Sequence, residues 1–136
     1  MKRIILALGA VALLLASSCA GKHAGPNPLS VAVFVPGVAS GSPTYEMLVA
    51  GATKAVAETK GATIKVVEAG YDQSTWLDRL RDTVASGEFG LIVTSNPSLP
   101  ELCAKLSADY PAVKFIVLDG YLKGNPSIYT VLYNQM

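Results

Sequence analysis

The sequence predicts an α/β protein built on a doubly wound parallel sheet, and three observations carry that prediction. Short, continuous apolar runs recur along the chain, as strands buried on both faces require. Between them lie stretches with apolar residues at three-and-four spacing, the pattern of amphipathic helices. Strand and helix alternate in units so short that parallel strands with helical crossovers are the natural solution.

The first run, Ser30-Val31-Ala32-Val33-Phe34-Val35, predicts a strand covered on both faces. Pro36 to Ser42 is a loop with Gly37 and Gly41. Ser42 then offers an N-cap and Pro43 the first helical position. Tyr45, Leu48, Val49, Ala52 and Val56 share one face, so a helix runs from Pro43 to about Lys60 and stops at Gly61. Thr63 to Ala69 is a second strand, followed by the loop Gly70-Tyr71-Asp72-Gln73-Ser74. Thr75 with Asp78 three residues on reads as a capping box. Leu77, Leu80 and Val84 form the buried stripe of that helix, and Gly87 ends it. Leu91 to Thr94 is the third strand. Ser98 with Glu101 is a second capping box, for a helix that turns Leu102, Leu106 and Tyr110 to the sheet. Lys114 to Leu118 is the fourth strand and Ile128 to Tyr133 the fifth.

The amino terminus has a different character. Lys2 and Arg3 precede an uncharged apolar run, Ile4 to Ala16, which ends in Leu15-Ala16-Ser17-Ser18-Cys19. A basic start, a short hydrophobic stretch and small residues before a cleavage point form a secretory signal. The run falls well short of the roughly 20 residues that span a bilayer as a helix. Small residues leading into Cys19 resemble a lipobox, with Leu15 displaced by one position as in the relaxed lipoboxes of spirochaetes. Residues 1–18 are then the signal peptide, Cys19 is lipidated, and residues 19–28 form a flexible tether rich in Gly and Pro. Residues 29–136 make one domain, held at the membrane through its lipid anchor.

Composition narrows the function. Of the eleven basic residues two lie in the signal, leaving nine against ten acidic ones, so no basic face for nucleic acid is indicated. His23, the only histidine, lies in the tether and reads as solvated rather than metal-binding. With Cys19 carrying lipid, Cys103 has no disulfide partner and reads as a small buried hydrophobe. No Gly-x-Ser-x-Gly elbow, Gly-Lys-Ser/Thr phosphate loop or paired cysteines occur, so neither an enzyme nor a resident cofactor is expected.

Open parallel sheets bind ligands beyond the carboxyl ends of their strands. The loops there carry Ser40, Ser42 and Tyr45, then Tyr71, Gln73 and Trp76. Ser95 and Asn96 follow the third strand, Asp119 and Tyr121 the fourth, and Asn134 and Gln135 the fifth. The opposite strand ends show only Gly, Lys and Glu turn residues. Hydroxyls, amides and one carboxylate beside aromatic faces suit a neutral, hydrogen-bonding ring compound. Turn formation alone equally explains Ser95-Asn96-Pro97, and Trp76 is a weaker candidate, since a tryptophan near Leu77 and Leu80 can simply cover the core. Asp119 is the strongest candidate, because a carboxylate at a buried strand end needs a partner.

A cysteine after small residues, a short tether, and a ladder containing Gly90-Leu91-Ile92-Val93 and Lys114-Phe115-Ile116-Val117-Leu118-Asp119 together resemble the basic membrane protein family. These are lipoprotein substrate-binding components of ABC importers, related to the purine nucleoside receptor of treponemes. The resemblance implies the amino-terminal lobe of a type I periplasmic-binding-protein fold, a small-molecule ligand, and an ABC importer permease as partner. It also implies a cell-envelope location facing the periplasm, and it puts Asp119 on a ligand-contacting aspartate. Such receptors close two lobes on their ligand, so the chain is expected to be one lobe of a longer protein. Nucleoside binders carry Asp-x-Ser-Phe-Asn in the first loop, where this chain has Gly41-Ser42-Pro43-Thr44-Tyr45. Ser42 to Leu48, Ser95 to Pro100 and Tyr133-Asn134-Gln135 look more like the spirochaetal riboflavin-binding branch. Riboflavin is therefore the expected ligand and a purine nucleoside the alternative. A structural or adhesive surface lipoprotein is the alternative of another class.

Overall fold

The structure, a computed structural model, describes residues 25–133. Its strands are β1 (Asn27–Val35), β2 (Thr63–Glu68), β3 (Phe89–Ser95), β4 (Lys114–Leu118) and β5 (Ile128–Val131). Its helices are α1 (Pro43–Ala57), α2 (Trp76–Ala85) and α3 (Leu99–Ser107). All strands pair in parallel in the order β2-β1-β3-β4-β5. The chain steps outward from β1 to β2, crosses back over β1 to β3, and then runs on the other way. That reversal between β1 and β3 is the switch point at which a sheet of this kind opens a crevice.

Alternation along β1 explains why its apolar run is unbroken. Ala32 and Phe34 face one side, with Ile92, Phe115, Val117 and the buried residues of α2 and α3. Val33 and Val35 face the other, against Leu48 of α1. The first side is well filled, with Phe34, Leu80, Ile92, Cys103 and Phe115 fully buried. The second side has one helix where the first has two. There an apolar groove of about 370 Å³ runs between α1 and the sheet, lined among others by Leu29, Met47, Val56, Leu91 and Ile116. Met47 is 69% exposed, and Leu48 is the one buried residue of α1.

Several boundaries differ from those the sequence suggests, for local physical reasons. β1 begins at Asn27, inside the stretch read as tether. Gly90 explains this, since a Cβ there would lie 2.6 Å from both the Asn27 carbonyl oxygen and the Pro28 Cα. Only a glycine lets the two backbones approach so closely. α1 ends at Ala57 rather than near Lys60.

Neither capping box forms. Thr75 and Ser98 already have helical backbone angles and make no side-chain cap. An Asx residue just upstream acts instead in each case. Asp72 Oδ1 accepts from the Ser74 N–H at 3.0 Å, opening a 3-10 turn over Gln73–Thr75, and Asn96 Oδ1 accepts from the Ser98 N–H at 2.9 Å. The Ser74 hydroxyl and N–H hold the Asp72 carboxyl below its usual range. The stripe on α3 turns by about one residue, burying Leu99, Cys103 and Leu106, while Leu102 and Tyr110 are only partly covered. The proposed signal peptide, Cys19 and His23 lie outside the described residues.

Candidate ligand-binding site

The carboxyl ends of β1, β3 and β4 stand side by side, and the residues following them enclose a cleft. One cavity, of about 180 Å³, is lined by Ser42, Thr44, Tyr45, Ser95, Asn96, Pro97 and Asp119. A second, of about 560 Å³, is lined by Thr44, Met47, Leu48, Ser95, Leu118, Asp119 and Tyr133. Thr44, Ser95 and Asp119 belong to both, so the two are parts of one cleft. Among the described residues no Lys or Arg lines either part, and Asp119 is the one carboxylate in the lining.

Each side chain is held by a specific local arrangement. Ser42 occupies the N-cap position of α1 with extended backbone angles but gives no side-chain cap. Its hydroxyl therefore stays free of the helix end, while Glu46 Oε1 accepts from the Gly41 N–H at 2.9 Å. The Tyr45 hydroxyl donates to the Pro36 carbonyl at 3.1 Å. Its ring edge lies against Gly37, where a Cβ would be 3.0 Å from Tyr45 Cε2. Ser95 is buried at the end of β3. Asn96 uses Oδ1 on Ser98, and its backbone N–H donates to the Leu118 carbonyl at 3.2 Å, stitching the third loop to β4.

Asp119 departs from expectation in one respect. It is exposed, not sealed at a buried strand end, so water solvates its carboxylate. Its backbone is unusual, with φ of 54°, the only positive value for a residue other than glycine among the described residues. The Asp119 N–H donates to the Val131 carbonyl at 2.8 Å, which fixes this conformation against β5. A left-handed carboxylate at a cleft mouth is the kind of local strain that collects at functional sites.

The structure thus brings Ser42, Tyr45, Ser95, Asn96 and Asp119 together and leaves Ser40, Tyr71, Gln73, Trp76 and Tyr121 out of the lining. Trp76 is a core residue: it is 4% exposed, packs with Leu80 and Ala69, and donates from Nε1 to the Gly70 carbonyl at 2.9 Å. Tyr71 is 76% exposed, its ring edge comes near Gly37 as the Tyr45 ring does, and it lines neither cavity. Tyr121 is exposed and lines neither cavity. Asn134 and Gln135 lie outside the described residues. Conversely, Thr44, Met47, Leu48, Leu118 and Tyr133 line the cleft without having been singled out. Position relative to the strand ends could have found Leu118 and Tyr133, which directly precede Asp119 and Asn134. Among the described residues no group of His, Cys, Asp and Glu side chains could hold a metal ion.

A family model described as ABC transporter substrate-binding protein PnrA-like matches residues 29–136. The chain belongs to this family, Bmp. Among solved structures, it is similar to an ABC transporter solute-binding protein from Aeropyrum pernix K1, with a TM-score of 0.67 and 24% identity. That match covers 77% of this chain and 28% of the other. It is also similar to a sugar ABC transporter protein from Yersinia enterocolitica subsp. enterocolitica 8081, with a TM-score of 0.61, 15% identity, and coverage of 79% and 32%. These likenesses establish the periplasmic-binding-protein-like fold. The matched region is less than a third of either solved chain. No helix among the described residues is long and apolar enough to cross a membrane.

Proposed function

We propose that the chain is a ligand-capturing lobe of an ABC-importer substrate-binding protein, tethered to the cell envelope by lipid on Cys19, and that its ligand is riboflavin. The observation that carries the binding reading is the cleft at the switch point, where five polar or aromatic candidates converge in a chain of the Bmp family. Hydroxyls of Ser42, Thr44 and Ser95 and the Asn96 amide would bond ring edges or ribityl hydroxyls. The Tyr45 ring, already fixed by its bond to Pro36, would stack on the isoalloxazine. Met47, Leu48 and Leu118 would cover the apolar part of the ring system.

Electrostatics narrows the class further. With Asp119 and no basic side chain among the described residues of the lining, this lobe would offer a phosphorylated ligand repulsion and no compensating charge of its own. The reading is therefore for the free vitamin over its phosphate ester. A purine nucleoside is the second reading, since it too is a flat hydrogen-bonding ring bearing hydroxyls. The first loop favours riboflavin, because Gly41-Ser42-Pro43-Thr44-Tyr45 lacks the Asp, Phe and Asn of nucleoside binders. The protein would deliver its cargo to a permease without turning it over.

The test is a flavin absorbance and fluorescence-quenching titration of the full-length protein, run beside flavin mononucleotide, guanosine and inosine. Saturable binding of riboflavin, weaker for its phosphate, is expected. Saturable nucleoside binding with no flavin response would overturn the ligand ranking. Radiolabelled palmitate should enter the wild-type chain and not a Cys19→Ala variant, and equal labelling would remove the anchor from the account.

A further inference from the structure

The loop from Pro36 to Ser42 carries the cleft's Ser42 and leads into Tyr45, yet its own sequence does little to fix it. Gly37 (φ 155°) and Gly41 (φ 79°) both sit where a backbone is freest. Its order comes from outside. The Gly70 N–H donates to the Gly37 carbonyl at 3.0 Å, and the Ala69 N–H donates to the Val35 carbonyl at 2.9 Å. At the centre of the loop, the Ala39 N–H donates to Glu68 Oε1 at 2.8 Å. Ala39 in turn accepts from the Ser42 N–H at 3.0 Å, so the hold on Ala39 passes directly to the N-cap position of α1. Glu68 is the last residue of β2, opposite Val35 in the register, and it lines neither part of the cleft.

We propose that Glu68 is a positioning residue for the ligand site: its carboxylate clamps the first loop at Ala39 and so sets where Ser42 and Tyr45 stand. The charge-assisted bond from one strand's side chain to the next strand's loop replaces the rigidity that two glycines give away. This rests on the binding reading above, in that the loop's placement matters through the cleft it borders. Glu46 makes the complementary bond to the Gly41 N–H within the same segment, and Glu68 is the side chain that reaches the loop from another strand, beside the backbone ties of Ala69 and Gly70.

The experiment compares wild type, Glu68→Ala and Glu68→Gln in the full chain by amide hydrogen exchange and by riboflavin titration. Glutamine keeps an acceptor at the same reach, so it serves as the rescue. Without ligand, Ala39 exchange should quicken about tenfold in Glu68→Ala and stay within about twofold in Glu68→Gln. Ile92, buried in β3, reports the fold and should exchange as in wild type in both variants. Riboflavin affinity should fall several-fold in the alanine variant and recover in the glutamine variant. The proposal is overturned if Ala39 exchanges at the wild-type rate in Glu68→Ala, or if glutamine behaves like alanine. It is equally overturned if Ile92 quickens together with Ala39, because Glu68 would then be holding the fold. Loosened exchange with undiminished riboflavin affinity would also refute it. If wild type binds no riboflavin, the ligand reading fails, and the exchange results alone decide whether Glu68 clamps the loop.

Discussion

Asp119 is where stability and binding should separate. A residue with a Cβ at φ of 54° gives up about 1–2 kcal/mol relative to ordinary backbone, and Asp sits toward the low end of that range. Replacing it by glycine removes this strain but frees the unfolded chain, which costs about 0.5–1 kcal/mol. Asp119→Gly should therefore be as stable as wild type or up to about 1 kcal/mol more stable. Asp119→Val puts a β-branched side chain in the same conformation and should lose about 2 kcal/mol or more. For a domain of this size, that is a fall in Tm of roughly 8–16 °C. The bond from the residue 119 N–H to the Val131 carbonyl survives in every variant, so the comparison isolates the side chain. Trp76, the only tryptophan, is buried and serves as the fluorescence reporter for urea and thermal unfolding. Binding should move the other way for glycine, which keeps the fold and loses an acceptor worth about 1–3 kcal/mol if a ligand donor is left unmet. A glycine variant destabilised by more than about 1 kcal/mol, or a valine variant as stable as wild type, would refute the strain argument.

Three further outcomes follow from single residues. Thr94 Oγ1 is buried without a hydrogen-bond partner among the described residues, so Thr94→Val should be neutral or stabilising by about 1 kcal/mol in urea unfolding. Trp76→Phe keeps most of the packing but strands the Gly70 carbonyl, and should lower stability by about 1–3 kcal/mol in urea unfolding followed by circular dichroism, since this variant lacks the tryptophan reporter. Burial pushes the Cys103 thiol up to about 12 from 9.0. Its folded form holds the proton longer than its unfolded form, so this contribution is intact below pH 9 and is lost as the pH rises from about 9 toward 12. In a Cys19→Ala chain, native Cys103 should resist a thiol reagent at pH 8 and react once unfolded, and Cys103→Ala should flatten the alkaline decline in stability.

The sheet was legible because its chemistry is repetitive. The runs Val31–Val35 and Phe115–Leu118 are apolar on both alternating faces, as covered parallel strands require. Helix starts were harder. Thr75 and Ser98 look like caps in sequence, yet Asp72 and Asn96 reach the turn first because a short side chain bonds the N–H two residues on. The start of β1 was hidden because it depends on Gly90, far along the chain, giving room for Asn27 and Pro28. In the candidate cleft, the places of residues at or just after a strand end were readable from position alone, as Ser95, Asn96 and Asp119 illustrate. Trp76 and Tyr71 were not, since their places depend on how the second loop folds over Gly70 and Gly37. Glu68 was invisible for a related reason: its partner is a backbone N–H on another loop.

We propose that this Bmp-family chain captures a flat, uncharged ring compound in the cleft at the carboxyl ends of β1, β3 and β4. The most direct test of this claim is mass spectrometry under non-denaturing conditions of the full-length protein, gently purified from the envelope of its own cells and compared with an Asp119→Gly variant. Riboflavin should leave with the wild-type protein, and its occupancy should fall sharply in the variant. A wild-type protein that carries no ligand, and takes up neither riboflavin nor a nucleoside when offered, would contradict the claim and favour a structural or adhesive role.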